Sequence, residues 1–169
     1  MEIEITRNGV TKLLQNLKIG KATGPDEIPA ELLKMCFEDI SAALTLIFQS
    51  SVKQGKVPNE WKRAKISPIF KKDDKTSAEN YRPDSITSIT SKLLEHIIFS
   101  NVVNHLETQN ILSDAQHGFR RKRSCETQLI TTCNDLAENM NKHLQTDAIM
   151  LDFSKAFDKV HHQTLAQKL

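Results

Sequence analysis

The chain has 169 residues, of which 38% are hydrophobic and 26% charged, with a formal net charge of +2. One domain with a real core fits that length, and two comfortable ones do not. No apolar run approaches the roughly 20 residues needed to cross a bilayer, and "MEIEITRNGV" has neither the basic start nor the apolar stretch of a signal peptide. The expectation is a protein without membrane contact that stays inside the cell, in cytoplasm or nucleus, and is not secreted.

In chain order, Val10, Leu13, Leu14 and Leu17 fall at helical spacing, and Gly20 is placed to end that helix. Gly24, Pro25 and Asp26 make a turn, and Pro29 suits the first position of a short helix. From Asp39, the residues Ile40, Ala43, Leu44, Ile47, Phe48 and Val52 form one apolar stripe that stops before Gly55. "AKISPIF" and "YRPDSIT" read as strands separated by the polar "KKDDKTSAEN", which predicts a hairpin with a charged tip. Leu93, Leu94, Ile97, Ile98, Val102 and Leu106 repeat the helical period. Ser124 is a candidate N-cap for a further helix presenting Leu129, Ile130, Cys133, Leu136, Ala137 and Met140. The helices over 90–107 and 125–141 are expected to pack against one another. Ala148 to Leu151 form an apolar run of the kind that becomes a strand buried on both faces, and "HHQTLAQKL" opens a last helix.

The coarse reading is one α+β domain, rich in helix. A doubly buried strand over 146–152 needs neighbours, yet the only other strands lie in a charged hairpin. The pattern predicts a piece of a larger domain, with that strand its least secure part. Cys36, Cys125 and Cys133 cannot all pair and show no zinc-binding spacing, so they read as reduced thiols, with Cys133 on the apolar face of its helix.

The small net charge does not announce nucleic-acid binding, but its distribution allows it. "WKRAKISPIFKK" and "FRRKRS" are two local basic patches that could follow a phosphate backbone, although composition alone favours a pair of solvated loops. Asp152 follows its apolar run directly. An ionised carboxylate there calls for compensation, and a divalent metal or the capping of a following helix would each provide it.

Several ordered segments decide between these readings. "LKIGKATGPDEIPAELLK", "VPNEWKRAKISPIFKK", "NYRPDSITSITSKLLEHII", "LSDAQHGFRRKRSCETQL" and "DFSKAFDKVHHQTL" together resemble reverse transcriptases of non-LTR retrotransposons, and in particular the jockey-like group. The resemblance implies a helix-rich fingers and early-palm portion of a right-hand polymerase, with a fingers hairpin and one palm strand. It divides the chain into a helical extension over about 1–62, fingers over about 63–123, and the start of the palm over about 124–169. It further implies RNA-directed DNA polymerase chemistry with Mg²⁺, an RNA template, a DNA primer and deoxynucleoside triphosphates.

Position by position, the resemblance makes Asp152 the first metal-binding carboxylate, helped by the backbone carbonyl of Phe153. Lys71 and Arg82 become the cations that grip the triphosphate. Phe157 lies beneath the incoming sugar, where its ring leaves no room for a 2′-hydroxyl, and Asp158 holds the turn. Gln116, Gly118, Phe119 and Arg120 form a loop approaching template and nucleotide, while Arg121, Lys122 and Arg123 are placed to follow a nucleic-acid backbone. Gly118 would allow close backbone approach there, or serve as an ordinary turn glycine.

Two departures from the family pattern stand out. Asp84 occupies a position expected to be aliphatic, two residues from Arg82, and no Asp-Asp pair follows Asp152. Two-metal transfer needs such further carboxylates. The polypeptide is therefore expected to be inactive alone, as a truncated part of a polymerase. The alternative is a non-catalytic nucleic-acid-binding remnant or a decayed element copy.

Overall fold

A computed structural model describes residues 3–154, 156–157 and 159–168. Two units divide the chain, Met1–Leu112 and Ser113–Leu169.

The first unit opens with α1 (Arg7–Gln15), whose N-cap Thr6 accepts a hydrogen bond from the Gly9 amide. This satisfies one of the donors that every helix start leaves unpaired. Helices α2 (Ala30–Met35) and α3 (Phe37–Gln54) follow, divided at Cys36. Gly55 ends α3 in the left-handed conformation, φ 62°, as its sequence position predicted. Pro29 stands one place earlier than expected, as the residue capping α2.

Strands β1 (Lys65–Phe70) and β2 (Tyr81–Ile86) form the expected antiparallel hairpin. Helix α4 (Ile89–Thr108) starts at Ser88, whose hydroxyl accepts from the Ser91 amide. The core gathers Val10 and Leu14 of α1, Leu33 of α2, Leu44 and Phe48 of α3, and Leu93 and Leu94 of α4. Val10, Leu14 and Phe48 are completely buried. Each such leucine or phenylalanine contributes about 1.5–3 kcal/mol by leaving water. Trp61 closes one side, edge-on to Phe48 at 5.6 Å between ring centres. Polar pins tie the helices: Arg7 Nε donates to Ser41 Oγ at 3.2 Å, and Gln49 Nε2 donates to the Ile5 carbonyl at 2.8 Å.

The second unit contains α5 (Cys125–Asn141) and α6 (His162–Lys168). A capping box starts α5, with Ser124 and Thr127 each bonding the other's backbone amide. Neither helix buries a residue. Leu129, Ile130 and Met140 of α5 are all exposed. Cys133, placed on that face, is exposed with them.

The palm strand expected over 146–152 is also corrected. These residues carry no strand, and Ile149, Met150 and Leu151 are more than four-fifths exposed. A strand exists only through hydrogen bonds to a neighbour, and no described residue supplies one there. The architecture is mixed helix and sheet, and the only sheet among the described residues is two-stranded. No helix among them is long and apolar enough to cross a membrane.

Candidate functional site

The hairpin aligns its cations through its register. Ile69 pairs with Arg82, Ser67 with Asp84 and Lys65 with Ile86, so these six share one sheet face. Phe70, Tyr81 and both prolines lie on the other face. The Lys71 amide donates to the Asn80 carbonyl at 2.9 Å, which carries the ladder one step past Phe70. By strand alternation Lys71 falls on the same face as Arg82, and both are exposed.

The tip between the strands is held by Asp74. Its carboxylate accepts from the Thr76 amide at 2.9 Å and from the Thr76 hydroxyl at 2.6 Å, and Asn80 Nδ2 donates to its carbonyl at 2.8 Å. The two bonds from Thr76, the side-chain one foremost, hold the Asp74 carboxyl below its ordinary pKa. The other face is braced by Phe70 edge-on to Tyr81 at 5.5 Å, with the Lys75 ammonium over the Phe70 ring. Asp84 is exposed, so its charge keeps its hydration.

In the second unit the basic run divides in two. Arg123 donates from Nη2 to Asp114 Oδ1 at 2.8 Å and from Nη1 to the Asp114 carbonyl at 2.6 Å. Arg120 donates to the Ser113 carbonyl at 2.8 Å, and its side chain is only 10% exposed. Arg121 and Lys122 are exposed. His117 links the loop to α5, with Nδ1 2.9 Å from Thr127 Oγ1. Asp114 and His117 went unnoticed in the sequence, and an acid followed within ten residues by an arginine cluster is the signal that would have found Asp114.

Gln116 closes the loop on itself through a 3.3 Å bond from Nε2 to the Gly118 carbonyl. The space where a Gly118 side chain would stand is open, so no close protein approach requires this glycine. The left-handed backbone falls instead on Phe119, at φ 61°. A bulky residue is uncommon there. Phe119 is four-fifths exposed and meets Phe157 edge-on at 6.4 Å between ring centres. Two residues singled out from distant parts of the sequence are thereby brought together.

Asp152 and Phe153 line a cavity of about 500 Å³ together with Ser154 and Lys159. The Lys159 ammonium donates to Ser154 Oγ at 3.3 Å. Asp158 lies outside the described residues. No group of three or more metal-ligating side chains gathers among the described residues. Asp152 and the adjacent carbonyl are hard oxygen donors of the kind Mg²⁺ takes one or two at a time, with water and substrate oxygens completing its shell. The donor chemistry fits one such ion, and the described residues offer no second carboxylate in that cavity.

A family model described as reverse transcriptase (RNA-dependent DNA polymerase) matches residues 69–169, more than half of the chain. The chain is 28% identical over 165 residues to the RNA-directed DNA polymerase from mobile element jockey of Drosophila melanogaster, covering 97% of this chain and 18% of that protein. It is 29% identical over 161 residues to the probable RNA-directed DNA polymerase from transposon BS of the same organism, covering 95% and 18% respectively. For the probable polymerase from transposon X-element, also of that organism, identity is 30% over 162 residues, with the same two coverages. The chain spans 18% of the length of each of these relatives.

Proposed function

This chain belongs to the reverse transcriptase (RNA-dependent DNA polymerase) family, and from that membership we propose that it supplies the nucleotide-gripping hairpin and the first metal-holding aspartate of a jockey-like RNA-directed DNA polymerase. The reaction of the whole protein is addition of a deoxynucleotide to a DNA primer on an RNA template. In right-hand terms the hairpin belongs to the fingers, and residues from about 124 onward begin the palm.

The observation that carries this reading is the register that sets Lys71 and Arg82 on one face of a small exposed sheet. Phosphoryl transfer is catalysed mainly by positioning and by neutralising charge on the phosphates. Two cations fixed by one backbone ladder meet that demand better than two independent surface side chains. Phe157 offers its exposed ring to the sugar, braced edge-on by Phe119. Asp152 and the Phe153 carbonyl would hold Mg²⁺, which when bound neutralises charge on the phosphates and orients them.

The test exchanges residues 1–169 for the matching segment of a jockey polymerase and measures primer extension on RNA. Asp152→Asn is expected to remove nearly all turnover while primer and template still bind. Lys71→Ala and Arg82→Ala should raise KM for the deoxynucleotide, and Phe157→Val should admit ribonucleotides. Undiminished extension by the Asp152→Asn chimera would overturn the proposal.

A further inference from the structure

Between the end of α1 and the start of α2 runs a loop, residues 16–29, that is fastened at separate points. The Gly20 amide donates to the Glu31 carboxylate at 2.8 Å, and the Lys34 ammonium donates to the Leu17 carbonyl at 3.3 Å. Gly24 is buried against the start of α4 so closely that a side-chain carbon there would stand 2.5 Å from the Ser88 nitrogen and 2.7 Å from the Thr87 carbonyl carbon. Only glycine permits that approach. The loop is therefore held backbone to backbone against the junction of β2 and α4.

This fastening places two lysines of the loop beside a third from the helix. Lys18, Lys21 and Lys92 line one hollow of about 400 Å³, together with Asp84 and Ile86 of β2. None of the three lysines forms an ion pair among the described residues. Three like charges against one carboxylate leave the hollow positive, and an anion is the ligand that relieves the repulsion. Asp84 and Ile86 share the sheet face of Arg82 and Lys71. The hollow meets that face at Asp84, two residues from Arg82, and extends past Ile86, roughly 13 Å from Arg82 at the usual rise per strand residue.

We infer that Lys18, Lys21 and Lys92 form a cradle for the phosphates of a nucleic-acid strand that runs along the hairpin face toward Arg82. The inference rests on the reading of this chain as part of a template-copying polymerase. A strand is favoured over a free nucleotide because the positive hollow and the Arg82 face form one tract longer than a single triphosphate. Asp84 lines the hollow two residues from Arg82 and opposes a phosphate at that step, so it weakens the cradle.

The test measures binding of the full chain to a labelled single-stranded RNA by fluorescence anisotropy over a range of salt. Replacing Lys18, Lys21 and Lys92 by Ser should flatten the slope of log affinity against log salt by about two, as expected for three lost contacts to a single strand. These side chains are exposed, and an unchanged thermal unfolding curve checks that the fold survives. Glu31→Ala is the sharper variant, because it makes the chain more positive while releasing the loop. General charge attraction predicts tighter binding and a positioned cradle predicts weaker binding.

RNA binding by the parent chain with an unchanged slope in the triple variant would overturn the cradle and leave the polymerase reading standing. Absence of RNA binding in the parent chain at any salt would remove both. Tripolyphosphate binding as tight as that of RNA, lost equally in the triple variant, would assign the hollow to free nucleotides and overturn the strand.

Discussion

Helices α3 and α5 carry the same kind of pattern and meet opposite fates. In the first unit the stripe of α3 is buried through Leu44 and Phe48 against α1, α2 and α4. In the second unit the stripe of α5, from Leu129 to Met140, is exposed throughout. An amphipathic period states which face a helix offers, and burial requires an element to receive it. The capping box makes the same point from the other side, since α5 starts as well as any helix in the chain. Local signals suffice to form it and do not give it a core.

That contrast is broken or sharpened first by a matched pair of substitutions. Leu14→Ala in α1 should destabilise the chain by about 2–5 kcal/mol, the range for emptying a fully buried leucine site. Leu129→Ala in α5 should stay within about 0.5 kcal/mol, as surface changes do. Urea unfolding gives both, and equal losses would show that α5 has a buried face. A second pair uses glycines. Gly24→Ala forces a methyl group into the Ser88 backbone and should cost about 1–3 kcal/mol. Gly118→Ala has open space and should be nearly silent in the same measurement.

Smaller effects separate local from cooperative structure. Ser124→Ala should weaken α5 by about 0.5–2 kcal/mol as a lost cap, seen as reduced helicity. The main unfolding midpoint should not move, and a shift of it would couple α5 to the core. The smallest effect is on pH. The bond from the Gly20 amide holds the Glu31 carboxyl below its ordinary pKa of 4.5. A depressed carboxyl stabilises the fold above its unfolded pKa, and that contribution is lost as pH falls through the folded value. The Gly20 amide resonance should therefore move only below the ordinary carboxylate range. A shift centred nearer neutrality would show that the carboxylate is not its partner.

The elements legible in the sequence were those whose signals are local. Gly55 and Ser124 mark helix ends by their own chemistry, and the alternation flanking "KKDDKTSAEN" marks the hairpin. The run from Ala148 to Leu151 was legible as apolar and misread as a strand, because a strand is a property of two segments. Lys71 and Arg82 were found through resemblance, while their shared face follows from a register that sequence alone does not fix. The tie between Asp114 and Arg123 follows no period, and only the closeness of an acid to an arginine cluster hints at it. Phe119 was singled out for its motif, and nothing in the sequence announced its left-handed backbone or its contact with Phe157.

Hydrogen exchange of the intact chain tests most directly whether the cooperative core belongs to the first unit alone. Amides in α3 and in the buried first half of α4 should exchange slowly, at rates set by global unfolding, while those of α5 and of residues 146–168 exchange orders of magnitude faster. Protection of α5 equal to that of α3 would contradict the account.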